Sequence, residues 1–122
     1  MSLRVVGWVS AAYDFALAAA MLLFPVTVAR AFGAPDPVPV VNAQINGVFA
    51  LALAAGYVWA LQKLEERRGY FWIAGVLAKG LGAMVFVLDH VLRGSPATFL
   101  MFAFSDGLLA LATLVALRRG RS

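Results

Sequence analysis

Four long apolar runs alternate with short polar or proline-rich breaks along this chain. They cover about 5–31, 40–61, 70–92 and 97–117. Each is long enough for the ~20 residues that a helix needs to cross the hydrocarbon core of a bilayer. The first break holds Arg30, Gly33 and Ala34-Pro35-Asp36-Pro37-Val38-Pro39. Prolines so closely spaced cannot continue a helix. The second break, Gln62-Lys63-Leu64-Glu65-Glu66-Arg67-Arg68-Gly69, is the most charged stretch, and the third is Arg93-Gly94-Ser95-Pro96. Pro39 falls near the first helical position of the second run, where proline is tolerated. Pro25 lies inside the first run and predicts a kink or a loosening of its last turns. Short connections predict antiparallel neighbours. The expected fold is therefore all-α: one integral membrane domain, a four-helix antiparallel bundle.

Composition sharpens that picture. Of 122 residues, 63% are hydrophobic and 13% charged, against about 45–50% and about 25% in soluble domains. Mean hydropathy is +0.88. These values exclude a water-soluble globular domain, and the length excludes a large transporter or an enzyme with a separate soluble catalytic domain. The first run reads as a spanning helix rather than a signal peptide. Asp14 interrupts it, and its hydrophobicity continues past Ala20 to Ala29, beyond the about 7–15 residues of a signal core.

Lys and Arg number 10 against 6 Asp and Glu. Their placement at segment ends points to membrane topology, not to nucleic acid. Arg4, Lys63, Arg67, Arg68, Arg118, Arg119 and Arg121 fall on one side, and Arg30 and Arg93 on the other. The bias predicts cytoplasmic N- and C-termini and a multi-pass protein of a bacterial inner membrane. Trp8, Trp59 and Trp72, with Tyr57 and Tyr70, predict an aromatic belt on the cytoplasmic side. Cysteine is absent and His90 is the one histidine, so thiolate and His-rich metal sites are excluded and no metal or cofactor is expected. Neither Asn42 nor Asn46 stands in a glycosylation acceptor.

Function must lie in the polar residues within the spans, because ionisable groups there are expensive. At about 1.5 Å of rise per residue, Asp14 and Lys79 each lie about 14 Å from the cytoplasmic end of their run and Asp106 about 16 Å. Asn46 lies about 22 Å from that side. Asp14, Lys79 and Asp106 thus share one layer near the midplane on three helices, with Asn46 approaching from above. Two carboxylates and one ammonium leave one formal negative charge over. A proton, a cation or a polar ligand would balance it, or the layer is a polar clasp that fixes helix register.

A second polar layer, with Asp89, His90, Asn42, Gln44, Arg30 and Arg93, lies toward the outer face. Asn42 and Asn46 are four apart and share a helix face. Lys79 and His90, eleven apart, share another. A vestibule leading down to the midplane is one reading of this stripe; hydration of helix ends is the other. Tyr13 and Ser105 directly precede Asp14 and Asp106 and are candidates for polar contacts at the site. Ala12, Ala16 and Ala20 repeat every fourth residue, as do Ala74, Ala78 and Gly82. Such rows permit close helix approach within the bundle or between copies. Phe99, Met101, Phe102 and Phe104 form an apolar wall for lipid or for a hydrophobic ligand.

The length, the four spans and the acidic Asp14 in the first span resemble the layout of the small multidrug resistance transporters. That family has a glutamate in its first helix and a surrounding motif that this chain lacks. Many of its members insert in both orientations, which requires a weaker charge bias. The layout is equally similar to DoxX-like bacterial four-helix membrane proteins. Neither resemblance transfers a role to any residue. The expected function is binding or carriage of a small molecule or lipid at Asp14, Lys79 and Asp106, with Asn46, Asn42, Tyr13, Ser105 and His90 contributing, in a homo-oligomer. The alternative is a structural or accessory subunit of a membrane complex. A membrane enzyme acting on a lipid-like substrate is a third possibility, supported only by the buried carboxylates.

Overall fold

The computed structural model describes residues 1–120; Arg121, counted above with the basic side, lies outside them. Among the described residues the chain is all helical, with five helices. They are α1 (Leu3–Leu23), α2 (Pro25–Ala31), α3 (Val41–Gln62), α4 (Arg68–Arg93) and α5 (Ala97–Arg118). All but the short α2 are long and apolar enough to cross a membrane. Their outward surfaces are rich in exposed large apolar side chains, among them Ile73, Leu81, Met84 and Phe104. That is the surface expected of lipid-facing helices, and it fits a multi-pass membrane protein.

The first run is broken, not merely kinked. Pro25 has no N–H to donate to Met21, and its ring crowds that turn. The chain leaves helical geometry at Phe24 (φ −133°, ψ 50°) and restarts as α2 with Pro25 at its first position. Gln44 Nε2 donates to the carbonyl of Leu22 (3.4 Å), giving a partner to one of the carbonyls that the break frees. At the other end of these helices Arg4 donates to the Leu61 carbonyl (3.4 Å). So α1 and α3 lie along each other with their residue numbers running in opposite senses. Gly47 admits Leu22 and Met21, and Gly7 admits Leu61 and Phe71, at distances where a Cβ would collide.

Helix α4 changes character along its length. One α turn (Arg68–Tyr70) is followed by a π-helical stretch (Phe71–Ala78) and then by regular α-helix (Lys79–Arg93). Such i→i+5 segments are rare and shift the helix faces. From Phe71, a regular period of about 3.6 residues would turn Ala78 inward. Instead Ala78 is exposed and Lys79 is buried. Helix α4 ends at Gly94, which takes the left-handed conformation (φ 70°) suited to glycine at a helix C-terminus. Helix α5 opens with a 3-10 turn (Ala97–Phe99).

The packed core lies toward one end of the helices. Leu3, Tyr57, Leu61, Leu64, Phe71 and Leu117 are buried there. Three arginines bind helix-end carbonyls at the same end. Arg4 reaches Leu61, Arg67 reaches Trp59 (2.6 Å), and Arg68 reaches Leu117 (3.2 Å). These carbonyls lie at the negative end of the helix dipole, so guanidinium groups are favourable partners, and the Leu117 carbonyl also accepts from the Gly120 N–H (3.2 Å). Arg67 also lies 4.2 Å over the Trp59 ring. Trp8, Trp59 and Trp72 are each about half exposed, but Tyr57 is not part of a surface belt. It is fully buried, edge-on to Tyr70 (5.2 Å between ring centres).

Tyr70 crosses the backbone of Gly56, which it approaches too closely for any Cβ, and its hydroxyl donates to the Leu53 carbonyl (2.6 Å). Tyr70→Phe removes that hydrogen bond while keeping the ring. The expected cost is about 0.5–1.5 kcal/mol, in the range of interhelical hydrogen bonds within membranes. Reversible unfolding in mixed micelles measures it; a change near zero would mean that the hydroxyl does not tie α4 to α3.

Candidate functional site

Helices α1, α4 and α5 meet where Asp14, Lys79 and Asp106 lie. Lys79 Nζ donates to Asp14 Oδ1 at 2.9 Å, and both side chains are only 4% exposed. The pair joins α1 to α4. Asp14 is turned inward on the α1 face that also buries Gly7, Ser10, Ala11 and Ala18. Lys79 is turned inward by the π segment that precedes it. Its ammonium lies 5.2 Å from the centre of the Tyr13 ring and 5.8 Å from that of Tyr57. Ring faces at this range stabilise a cation, the more so where water is excluded.

Three buried polar atoms near this pair have no hydrogen-bond partner among the described residues: Ser10 Oγ, Asp14 Oδ2 and Tyr57 OH. Ser10 and Asp14 are four apart on α1 and so share a face. Buried polar atoms are nearly always hydrogen-bonded. The centre therefore retains unused polar capacity alongside its ion pair.

Tyr13 and Ser105 bridge α1 to α5, with their hydroxyl oxygens 2.7 Å apart. Ser105 also donates back to the carbonyl of Met101 (2.9 Å). Asp106 follows on α5, with its carboxylate over Gly82, where a Cβ would come within 3.3 Å of Oδ2. It is close enough to Lys79, Asp14 and Tyr13 to interact electrostatically, but it forms no ion pair among the described residues. Lys79 is committed to Asp14, so Asp106 is the carboxyl of the three without an ion-pair partner among the described residues.

Asp106 also lines a cavity of about 440 Å³, a size usual for small-molecule sites. The cavity opens between the ends of α1, α3, α4 and α5 that lie away from the packed core. Leu17 and Met21 of α1 form one wall, and Ala43 and Asn46 of α3 another. Phe86 comes from α4 and Phe99 and Phe102 from α5. Helix α2 and the following loop contribute Pro25, Val28, Ala29, Phe32, Ala34, Pro35 and Pro37. The aromatic rings touch one another: Phe32 and Phe102 are 4.8 Å apart at their centres, and Phe86 and Phe102 are stacked at 5.3 Å. Beyond Phe32 and Phe102, a more open recess of about 570 Å³ holds Tyr13 and Ser105.

The roof segment is fastened at several points. Arg30 donates to both carboxylate oxygens of Asp36, at 3.1 and 3.0 Å, and these hydrogen bonds hold the Asp36 carboxyl below its usual pKa. The Thr98 hydroxyl donates to the Phe32 carbonyl, tying the roof to the start of α5.

The structure thus brings together Asp14, Lys79, Tyr13, Ser105 and Asp106, and places Asn46 on the same cavity as Asp106. Asn42 and His90 do not line that cavity. Asn42 is exposed in the first turn of α3. His90 Nδ1 lies 2.7 Å from the Ser95 carbonyl, and Asp89 accepts from the Ser95 hydroxyl and from Arg93 (3.0 Å). These contacts organise the α4–α5 turn.

The residues not anticipated from sequence are the roof around Phe32 and the inward Phe86. Their signal was weak: a phenylalanine beside a proline-rich break, and one apolar residue among many. The four-residue rows also resolve differently. Ala12 and Ala16 are exposed on the outer side of α1, and Ala74 is buried while Ala78 is not. No family model, curated protein or solved structure matches the chain.

Proposed function

We propose that this chain is a small integral membrane protein that binds, and in doing so carries or presents, a small amphipathic molecule or lipid. The observation that carries this reading is the cavity of about 440 Å³, walled by phenylalanines and floored by Asp106 with Asn46. The apolar portion of the ligand occupies the aromatic chamber, and its polar end meets Asp106 and Asn46. Asp14, Lys79, Tyr13 and Ser105 hold the floor in place. In this reading the helices form an antiparallel four-helix bundle with both termini cytoplasmic. The clustering of Arg4, Arg67 and Arg68 on carbonyls at one end supports that orientation. The cavity then opens toward the outer face of a bacterial inner membrane. Assembly into a homo-oligomer is part of the proposal, and the exposed Ala12 and Ala16 offer a face for close helix contact.

A native mass spectrum of protein extracted in mild detergent, with small molecules recovered from the same sample, tests this. The wild type is expected to carry a defined ligand mass. Ala43→Phe, which places a ring in the cavity, is expected to lose most of it. A wild type without ligand, or Ala43→Phe with undiminished ligand, would overturn the binding reading. The alternative, an accessory subunit in which the buried Asp14–Lys79 pair is only a register clasp, predicts a bare chain with a stoichiometric foreign subunit.

A further inference from the structure

We infer that the cavity selects an amphipathic organic cation, with Asp106 as its counter-ion. This rests on the binding reading above and adds the sign of the ligand's charge. The polar end of the chamber contains a carboxylate and the Asn46 amide but no ammonium or guanidinium group. The one cation of the layer, Lys79, is held by Asp14 at 2.9 Å. With both aspartates and Lys79 ionised, the layer keeps a formal charge of −1, and the surplus sits on Asp106. An anionic headgroup entering here would face two carboxylates and one ammonium already engaged. Arg30, on the roof, offers it little, because two hydrogen bonds occupy it with Asp36.

The walls favour the same sign. Phe32, Phe86, Phe99 and Phe102 present a continuous set of rings, with centres 4.8–6.4 Å apart between neighbours. Aromatic faces attract cations, alkylammonium groups included, and do so more strongly when desolvated. The same rings accept an apolar tail. The volume is about three times that of an engineered cavity that accommodates benzene. It therefore has room for an aromatic or short alkyl body together with a bulky ammonium head. A strongly hydrated small metal ion would gain nothing from such walls, and no group of three or more metal-ligating side chains occurs among the described residues.

Three probes of one shape test the inference on the full chain in nanodiscs: 3-phenylpropyltrimethylammonium, its neutral analogue with carbon in place of nitrogen, and 3-phenylpropylsulfonate. Equilibrium binding of the labelled probes is measured for the wild type and for Asp106→Asn. The ammonium probe is expected to bind the wild type about tenfold or more tightly than the neutral one, as desolvated contact of a quaternary ammonium with aromatic faces and a carboxylate gives. The sulfonate should bind most weakly. Asp106→Asn should cut the preference for the ammonium probe over the neutral one severalfold, leaving the part that the rings supply. Equal binding of ammonium and neutral probes by the wild type would overturn the cation assignment while leaving the cavity as a binding site. Binding of none of the three would overturn both. A preference for the cation that is undiminished in Asp106→Asn would remove Asp106 as its counter-ion. The wild-type comparison decides the sign even if Asp106→Asn fails to fold.

Discussion

Lys79→Met is expected to destabilise the protein by about 3–5 kcal/mol, the usual result of removing one partner of a buried ion pair. Asp14 would be left buried with Oδ2 already lacking a hydrogen-bond partner and Oδ1 losing its only one. The Tyr13 and Tyr57 rings beside Lys79 favour a cation and would do nothing for an isolated carboxylate. Replacing both members, Asp14→Leu with Lys79→Met, is expected to recover most of the loss, because apolar replacements of a buried pair are often neutral. Reversible unfolding of the single and double variants in mixed micelles gives the coupling directly. A single variant as stable as the wild type would show that the pair does not join α1 to α4. A double variant as unstable as the single would show that the loss comes from packing around the Lys79 stem.

Gly75→Ala is expected to cost about 1–3 kcal/mol, the range for forcing extra volume into a packed interface. In a bilayer, helices gain nothing from merely exchanging lipid contact for protein contact, so close packing carries more of the association. At Gly75 the approach is closest to Thr113, where an added Cβ would meet Cγ2 at 2.7 Å. Thr113 cannot simply turn away, because its hydroxyl donates to the Leu109 carbonyl at 2.6 Å and the residue is fully buried. Thr113→Ser removes the colliding methyl and keeps the hydroxyl, so it should restore part of the loss in Gly75→Ala. The same unfolding assay checks both. If Thr113→Ser gives no recovery, the α4–α5 contact is not the source of the cost.

Much of the candidate site was legible from counting along the chain. Helical rise alone placed Asp14, Lys79 and Asp106 at one depth, and two of the three are in direct contact. Tyr13 and Ser105 were visible only as neighbours of those aspartates. Their bond across α1 and α5 depends on how the two helices are rotated, which spacing does not contain. Asn46 reached the cavity, whereas Asn42, on the same expected face but one turn nearer the start of α3, did not. His90 was read as part of a stripe with Lys79, but its ring turns to the Ser95 carbonyl in the closing turn of α4.

Sequence by itself determined the four apolar runs, their separation by proline, glycine and charge, and the place of each ionisable group along its helix, because hydropathy and helical rise are local properties. Tertiary structure decided which faces those runs turn inward. The π segment over Phe71–Ala78 is the clearest instance: it exposes Ala78, buries Lys79, and breaks the four-residue row that a regular helix would have kept. Nothing in eight apolar and small residues announces an extra residue per turn; the packing of Phe71 and Gly75 against neighbouring helices selects it. The cavity is likewise a tertiary product. It exists because the core gathers at the arginine-capped end while α2, broken from α1 at Pro25, roofs the space left where the helices part.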